Sequence, residues 1–284
     1  MSTGEESAVD AVETARKYYG NSEVDGFYSV VWGGEDIHTG TYRDEREPIA
    51  AASRRTIELA AAKIADRLGR PGATVLDLGS GYGGPTRCLA ERFGCRVVAL
   101  NISETQNERH RRTNAERGLD RLIEVVTGSF QDIPFPDGHF DVVWSQEAFC
   151  HSPDRDRLLG EAARVLRPQG DLVFTDLMAA DGVAPESLRA VVARLGVDAL
   201  ATPEYYRKRI AELGLTRIDF DDRSGQLLTH YTRLEEETRR RAAELRRIIG
   251  PAYLDELLEN LPLWVDACRA GRFSWGVFHC RNDR

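Results

Sequence analysis

The sequence predicts an α/β protein built on a doubly wound parallel sheet. Three observations predict it. Between residues 70 and 176 short apolar segments alternate with helical ones. Those segments are continuous runs of Val, Leu, Ile and Phe, as in strands covered by helices on both faces. The first of them empties into Gly79-Ser80-Gly81-Tyr82-Gly83-Gly84 just ahead of a helix. With 284 residues, 42% of them hydrophobic, the chain can bury a full core and reads as one elaborated domain rather than two equal ones.

The elements follow in order. Residues 1–69 form an N-terminal helical lid segment. It gathers Tyr18, Tyr19, Phe27, Tyr28, Trp32, Glu35, Asp36, His38 and Tyr42, polar aromatics that a purely structural leader does not need, before an apolar helix over about 50–68. Residues 70–230 form the cofactor-binding core, with strands at 74–78, 96–100, 123–127, 140–145 and 170–175. A helix over 85–93 follows the glycine turn. Another over 156–166 places Leu158, Leu159, Ala162 and Val165 on one face, and Arg167-Pro168-Gln169-Gly170 stops it. After a strand at 215–220, residues 231–271 read as a helical insertion over the active site, and 272–284 hold the last core strand. The pairs Glu235/Arg239, Glu236/Arg240 and Glu237/Arg241 stand four apart and solvate the outer face of that insertion. Trp264 and Trp275 read as core packing ahead of pocket lining.

Composition narrows the partners. A net charge of −8 with no long basic stretch speaks against nucleic acid. The polar, acidic run 1–10 reads as neither signal peptide nor membrane anchor, so a cytoplasmic protein without a membrane partner is expected. Five scattered cysteines (Cys88, Cys95, Cys150, Cys268, Cys280) lack metal or disulfide spacing, so no metal is expected. The sequence sets no oligomeric state.

Gly79, Gly81 and Gly84 satisfy G-x-G-x-x-G, a pattern that lets backbone approach a nucleotide-like ligand at a helix N-terminus. Asp77, two positions before the first glycine, would repel a pyrophosphate but accepts hydrogen bonds from a cationic amino group. S-adenosylmethionine carries such a group and no phosphate. Asn101 closes the second strand where a ribose-binding residue is expected, and it offers a donor and an acceptor in place of the usual carboxylate. Asp77 and Asn101 together disfavour an NAD-dependent oxidoreductase.

With Gly128-Ser129-Phe130-Gln131-Asp132-Ile133-Pro134-Phe135-Pro136 and Val165-Leu166-Arg167-Pro168-Gln169-Gly170, the central hundred residues resemble the class I S-adenosylmethionine-dependent methyltransferases. The resemblance implies a seven-stranded Rossmann-like sheet. It places Ser129 and Phe130 beside the adenine, with Ile102 and Gln106 on the other side; Ser129 replaces the usual Asp, so adenine recognition leans on backbone groups. A closer resemblance covers almost the whole chain. The strings Trp32-Gly33-Gly34-Glu35-Asp36-Ile37-His38-Thr39-Gly40, Leu100-Asn101-Ile102-Ser103, Trp144-Ser145-Gln146-Glu147-Ala148-Phe149-Cys150-His151 and Trp275-Gly276 are similar to the sarcosine/dimethylglycine N-methyltransferases, which make glycine betaine. More loosely the layout resembles phosphoethanolamine methyltransferases, in which an N-terminal tyrosine and a histidine after the fourth strand serve the active site.

These resemblances imply a catalytic set of His151, Glu147, Tyr19 and Tyr28. The cofactor set they imply is His38, Asp77, Gly79, Gly81, Asn101, Ile102, Gln106, Ser129, Phe130 and Gln146. The chemistry agrees. Methyl transfer from a sulfonium is an in-line displacement that needs a held lone pair in a dry pocket. An alkylamine of pKa about 10 is protonated at neutral pH and must lose that proton. His151, Glu147 and a tyrosine can relay it, Glu147 can attract the cation, and Tyr18, Tyr19, Tyr28 and Trp32 can surround a methylated ammonium. Two departures, Asp176-Leu177-Met178 and Trp264-Val265-Asp266-Ala267-Cys268, leave the acceptor open. The alternative is a C-, N- or O-methyltransferase of an indole, phenol or isoprenoid metabolite using the same base relay. From another class stands a cofactor-binding scaffold or cyclase that transfers no methyl group.

Overall fold

The computed structural model describes residues 22–197 and 199–283. Strands β1 (Thr74–Leu78), β2 (Arg96–Asn101), β3 (Ile123–Thr127), β4 (Phe140–Gln146), β5 (Leu166–Ala179), β6 (Thr216–Asp222) and β7 (Phe273–Arg281) make one sheet in the order β3-β2-β1-β4-β5-β7-β6. From β3 to β5 all pairings are parallel; β7 runs antiparallel to both β5 and β6. The expected parallel sheet therefore carries one reversed strand near its edge.

The helices are α1 (Ser22–Phe27), α2 (Ile49–Ala62), α3 (Ala65–Leu68), α4 (Gly84–Phe93), α5 (Glu104–Glu116), α6 (Arg155–Val165), α7 (Arg189–Val192), α8 (Pro203–Glu212), α9 (Gly225–Arg240), α10 (Ala242–Ile248) and α11 (Pro251–Arg269). The continuous apolar strands are explained by cores on both sides of the sheet. Leu76, Val143, Phe174 and Phe278 pack with Leu158 and Leu159 of α6 and Ile210 of α8. Their strand neighbours Val75, Val142, Val173 and Val277 pack on the opposite face with Ile57 of α2, Leu68 of α3 and Leu89 of α4. Alternate residues of a strand point to opposite faces, so a strand buried on both must be apolar throughout.

A third cluster unites the two ends of the chain. Val24, Phe27, Tyr28, Val31 and Trp32, from α1 and the π-helical turn Tyr28–Trp32, pack with Leu234 of α9, Leu245 of α10 and Leu254, Leu257 and Leu261 of α11. Trp264 sits in a fourth cluster, stacked between Tyr231 at 4.6 Å and Phe273 at 5.0 Å, so its role is packing, as the sequence suggested.

Several boundaries differ from expectation. The helix over 50–68 is broken at Lys63-Ile64 into α2 and α3. The C-terminal helical region opens with α9 at Gly225, six residues before position 231. The helix does end ahead of Arg167-Pro168-Gln169-Gly170, at Val165, but that run is no separate loop: it lies inside β5, which begins at Leu166. The proline is tolerated because the register against β4 jumps there, from Phe140 opposite Leu166 to Val142 opposite Asp171. Gln169 takes up the slack with a φ of 65°. On α9, Arg239 does pair with Glu235 at 2.9 Å, whereas Glu236 and Glu237 both take Arg233. Among the described residues no helix is long and apolar enough to cross a membrane.

One buried ion pair fastens this frame. Arg67 of α3 meets Asp171 of β5 and donates to the Gln169 carbonyl, and Asp171 also contacts His279 of β7 at 2.9 Å. Burial pushes the Asp171 carboxyl up, but His279 and Arg67 outweigh it and hold it below the usual range. A depressed carboxyl contributes stability above its unfolded pKa that is lost as pH falls through the folded value. Removing one partner strands the other guanidinium, so Asp171→Ala is expected to cost about 3–5 kcal/mol in urea unfolding at pH 7. The deficit should shrink below pH 4, where the wild type loses the same charge.

Candidate active site

β1 lies between β2 and β4, and the connections leaving its two sides open a crevice above the carboxyl ends of these strands. The crevice holds about 990 Å³, its mouth included. Its floor is Asp77, Gly79, Ser80, Gly81 and Tyr82, with Pro85 of α4. One wall is Asn101, Ile102 and Gln106; another is Gly128, Ser129 and Phe130 after β3. The far end is Gln146, Glu147, Ala148, His151 and Pro153 after β4, and Glu35, Ile37 and His38 form the roof. Every residue of the expected cofactor set thus faces one space, together with Glu147 and His151.

Tyr28 is not on that wall. Its ring packs on Trp32 at 4.8 Å and Phe27 at 5.9 Å, in the apolar cluster that joins the N-terminal segment to α9–α11. Tyr18 and Tyr19 lie outside the described residues.

Asp77 is 2% exposed, and its Oδ2 accepts a 2.5 Å hydrogen bond from Thr86. Burial pushes its carboxyl up to about 7, against the smaller opposing effect of Thr86. Asn101 differs from expectation in one respect. Both protons of its amide are spent within the protein, on Gln106 Oε1 at 3.1 Å and Asn107 Oδ1 at 3.2 Å. The donor left without a partner is Gln106 Nε2. His38 Nε2, Ser80 Oγ and both amide atoms of Gln146 are likewise buried and unpartnered among the described residues. Buried polar atoms are nearly always hydrogen-bonded. Five such atoms around one cavity mark a site built for a polar ligand, and they fit a nucleoside joined to an amino acid.

Glu147 is the most constrained residue of the site. Its φ of 51° lies in the left-handed region, unusual for a side-chain-bearing residue. Its carboxylate accepts from the Thr39 amide at 2.8 and 3.0 Å, the Thr39 hydroxyl at 3.1 Å and Trp275 Nε1 at 2.9 Å. Burial still pushes it up to about 7. Thr39 has no role in the sequence reading and Trp275 reads there as core packing, yet its indole also reaches Glu147; both fall in the strings that carry the resemblance.

His151 closes the 3-10 turn Phe149–His151. Asp176 Oδ1 accepts from the Cys150 amide at 3.0 Å, and Arg155 donates to the Cys150 carbonyl at 2.9 Å, so the turn is held from both sides. Burial and the nearby Arg155 charge push the His151 pKa down to about 4, against a smaller opposing effect of the Leu195 backbone, so the ring is neutral near pH 7. Cys150 itself is buried, with its thiol pushed well above the usual range by burial.

The roof is tied down by charge. Glu35 bonds to Arg87 at 2.5 Å, Arg117 at 3.0 Å and Arg54 at 3.2 Å, and Arg54 reaches Asp36 at 2.8 Å. Burial raises the Glu35 carboxyl, but Arg87 and Arg117 outweigh it and hold it low.

This sheet order, with an acidic residue next to the end of β1 before a glycine turn and a polar cavity above it, defines an S-adenosylmethionine-dependent methyltransferase. The family model described as a methyltransferase domain matches residues 76–174. The chain is 46% identical to sarcosine/dimethylglycine N-methyltransferase of Halorhodospira halochloris, over 95% of this chain and 96% of that one. It is 44% identical to dimethylglycine N-methyltransferase of Parasynechococcus marenigrum, over 99% of both. A solved Galdieria sulphuraria structure carrying the sarcosine dimethylglycine methyltransferase name superposes with a TM-score of 0.85 at 37% identity, covering 91% of this chain and 99% of that one. The chain belongs to the sarcosine/dimethylglycine N-methyltransferase family.

The glycine turn can be tested without ligand. Gly79 has a φ of 73°, and a Cβ there would overlap Ala148; Gly81 has a φ of 52° and open space. Gly81→Ala should cost about 1–2 kcal/mol for its backbone alone. Gly79→Ala should add about 1–3 kcal/mol of overlap to a similar backbone cost. Urea unfolding of the two variants reads the difference.

Proposed function

We propose that this chain is a cytoplasmic enzyme that N-methylates sarcosine and dimethylglycine toward glycine betaine, with S-adenosylmethionine as methyl donor. The observation that carries the acceptor assignment is a pair of buried carboxylates lining one cavity, Asp77 and Glu147, each pushed up to about 7 by burial. Two cations are wanted, and two are available: the ammonium of the methyl donor's amino acid part and that of an amino acid acceptor. Kinship with the Halorhodospira and Parasynechococcus enzymes supports the same reading.

In this reading Asp77 takes the donor's ammonium, and Asn101, Gln106 and Ser80 meet its ribose. Ile102, Phe130 and Ser129 flank its adenine. When bound, S-adenosylmethionine supplies a methyl group activated by the sulfonium. Glu147 draws the acceptor's ammonium in. Burial holds His151 neutral, and a neutral imidazole can take the amine's proton. Gln146, with both amide atoms unpartnered, offers N–H to a carboxylate. His38 and His151 are the basic side chains on the described wall. Glu35, Ile37 and His38 exclude water from above. Tyr19, in the segment preceding α1, is proposed to join the proton relay.

The test is S-adenosylhomocysteine release and product mass with glycine, sarcosine and dimethylglycine offered separately. Turnover with the last two is expected, and His151→Ala should lower kcat by about 10²–10⁴-fold. Tight cofactor binding without turnover on either would contradict the acceptor, as would faster methylation of an indole, phenol or isoprenoid.

A second expectation concerns pH. A carboxyl raised in the fold contributes stability when protonated that is lost as pH rises through about 7, and a bound ammonium reverses this by pairing with the ionised form. Calorimetric affinity for S-adenosylhomocysteine should therefore rise between pH 5 and 7. Asp77→Asn should bind at least about tenfold more weakly and lose that dependence, since one unpaired charge interaction is worth about 1.4 kcal/mol or more.

A further inference from the structure

We infer that Thr39 and Trp275 are positioning residues of the acceptor-amine site: from the lid and from β7 they hold the Glu147 carboxylate toward the cavity, so that the site is complete only with the lid down. The inference rests on the reading of Glu147 as the group that draws in the acceptor's ammonium.

Three elements distant in sequence meet on this one carboxylate. Thr39 belongs to the roof and lies 108 residues from Glu147, while Trp275 is on the antiparallel strand 128 residues away. The Thr39 amide, shared between both oxygens, the Thr39 hydroxyl and the Trp275 indole meet the carboxylate in four contacts, two on each oxygen, so its orientation is fixed and a cation entering the cavity meets it through its charge. Each positioner is itself fixed. Trp275 is fully buried, with its amide donating to Ser224 Oγ at 3.1 Å, and the Thr39 carbonyl accepts from Thr56 of α2 at 2.9 Å. The neighbouring His38 carbonyl takes Ser53 at 2.8 Å and Trp32 Nε1 at 3.2 Å. The left-handed backbone at Glu147 is sustained by this over-determination, as strained residues at functional sites are.

The electrostatics agree with the geometry. Burial raises the Glu147 carboxyl, the Thr39 amide, the Trp275 indole and the Thr39 hydroxyl lower it, and Asp176 of β5 raises it further. The Cys150 thiol from the adjoining turn is held neutral by burial. His38 from the roof and His151 face the same cavity, each pushed down by burial to about 4 and so uncharged near pH 7. No cation among these groups stabilises the ionised form, so its stability rests on the three donors. Loss of one donor shifts the balance toward the protonated acid, which cannot draw in an ammonium.

Trp275→Phe keeps the buried ring and removes only the indole N–H. Thr39→Val keeps the amide and removes the hydroxyl, and Thr39→Ser restores it. Two readouts separate the inference from the function it rests on. The first is the carboxylic C=O infrared band of Glu147 titrated in the full-length protein and isolated by subtraction of Glu147→Gln, which needs no acceptor. The second is the acidic limb of kcat/KM for dimethylglycine. Both midpoints should move up by about one pH unit, equivalent to about 1.4 kcal/mol, in Trp275→Phe and Thr39→Val. At a pH one unit below the wild-type midpoint, kcat/KM should then fall about tenfold further than in wild type. Thr39→Ser should titrate as wild type. Midpoints unchanged in both variants would overturn the inference, even if activity falls, because a purely structural defect does not move a titration. An infrared shift in a wild-type background that never methylates dimethylglycine would support the positioning and overturn the function instead. Should Trp275→Phe fail to fold, Thr39→Val and Thr39→Ser decide the matter alone.

Discussion

The rest of the molecule depends on the reversal of strand order around β1. Parallel strands that step one way from β1 to β2 and the other way to β4 send their connections to opposite sides, and no connection covers the ends of β1 itself. Backbone must then come close to whatever fills the gap. This is why Gly79 lies against Ala148 with no room for a side chain, and why Asp77, Asn101, Ser129 and Glu147, on four strands or strand ends, share a single cavity. Neither the reversed β7 nor the C-terminal helices create the crevice. They complete its far end, where Trp275 touches Glu147.

The cavity is held in an unfavourable electrostatic state. Among the described residues around the cavity, two carboxylates are buried without a cation beside them, two histidines are held neutral and five polar atoms lack partners. Each would weigh against the fold if nothing offset it. The offset comes from the apolar cores on both faces of the sheet, and from the cluster that packs α1 and its π-helical turn on α9–α11. Stability made in the layers supports polarity at the strand ends. The roof is fastened by Glu35 among Arg54, Arg87 and Arg117 and by Thr39 on Glu147, so its grip on the core is polar. Polar contacts exchange readily with water, which suits a segment that must release a ligand.

What the sequence made legible follows from range. Strands buried on both faces announce themselves as unbroken apolar runs, and the glycine turn with Asp77 is a local pattern, so the core and the cofactor wall could be read directly. Pro168 does follow the end of α6, as a proline after a helix should, but a register jump lets it sit inside β5 rather than ahead of it. The break at Lys63-Ile64 carries no glycine or proline to announce it. An aromatic with a hydroxyl fits equally well in a cation-binding wall and in an apolar joint, so the packing of the Tyr28 ring on Phe27 and Trp32 could not be read from the sequence. Asn101 was placed correctly on the wall, but its amide protons are claimed by Gln106 and Asn107, five and six residues on. The partnership of Thr39, Glu147 and Trp275 spans the whole chain and leaves no local mark.

The central claim is that one cavity at the β1 switch point takes two ammonium groups end to end beneath a closed roof. A crystal structure with S-adenosylhomocysteine and dimethylglycine bound together tests it most directly. The account predicts the cofactor ammonium on Asp77, the acceptor nitrogen on Glu147 and the Thr39 contact intact. An acceptor bound elsewhere, or a cofactor amino group turned away from Asp77, would contradict it.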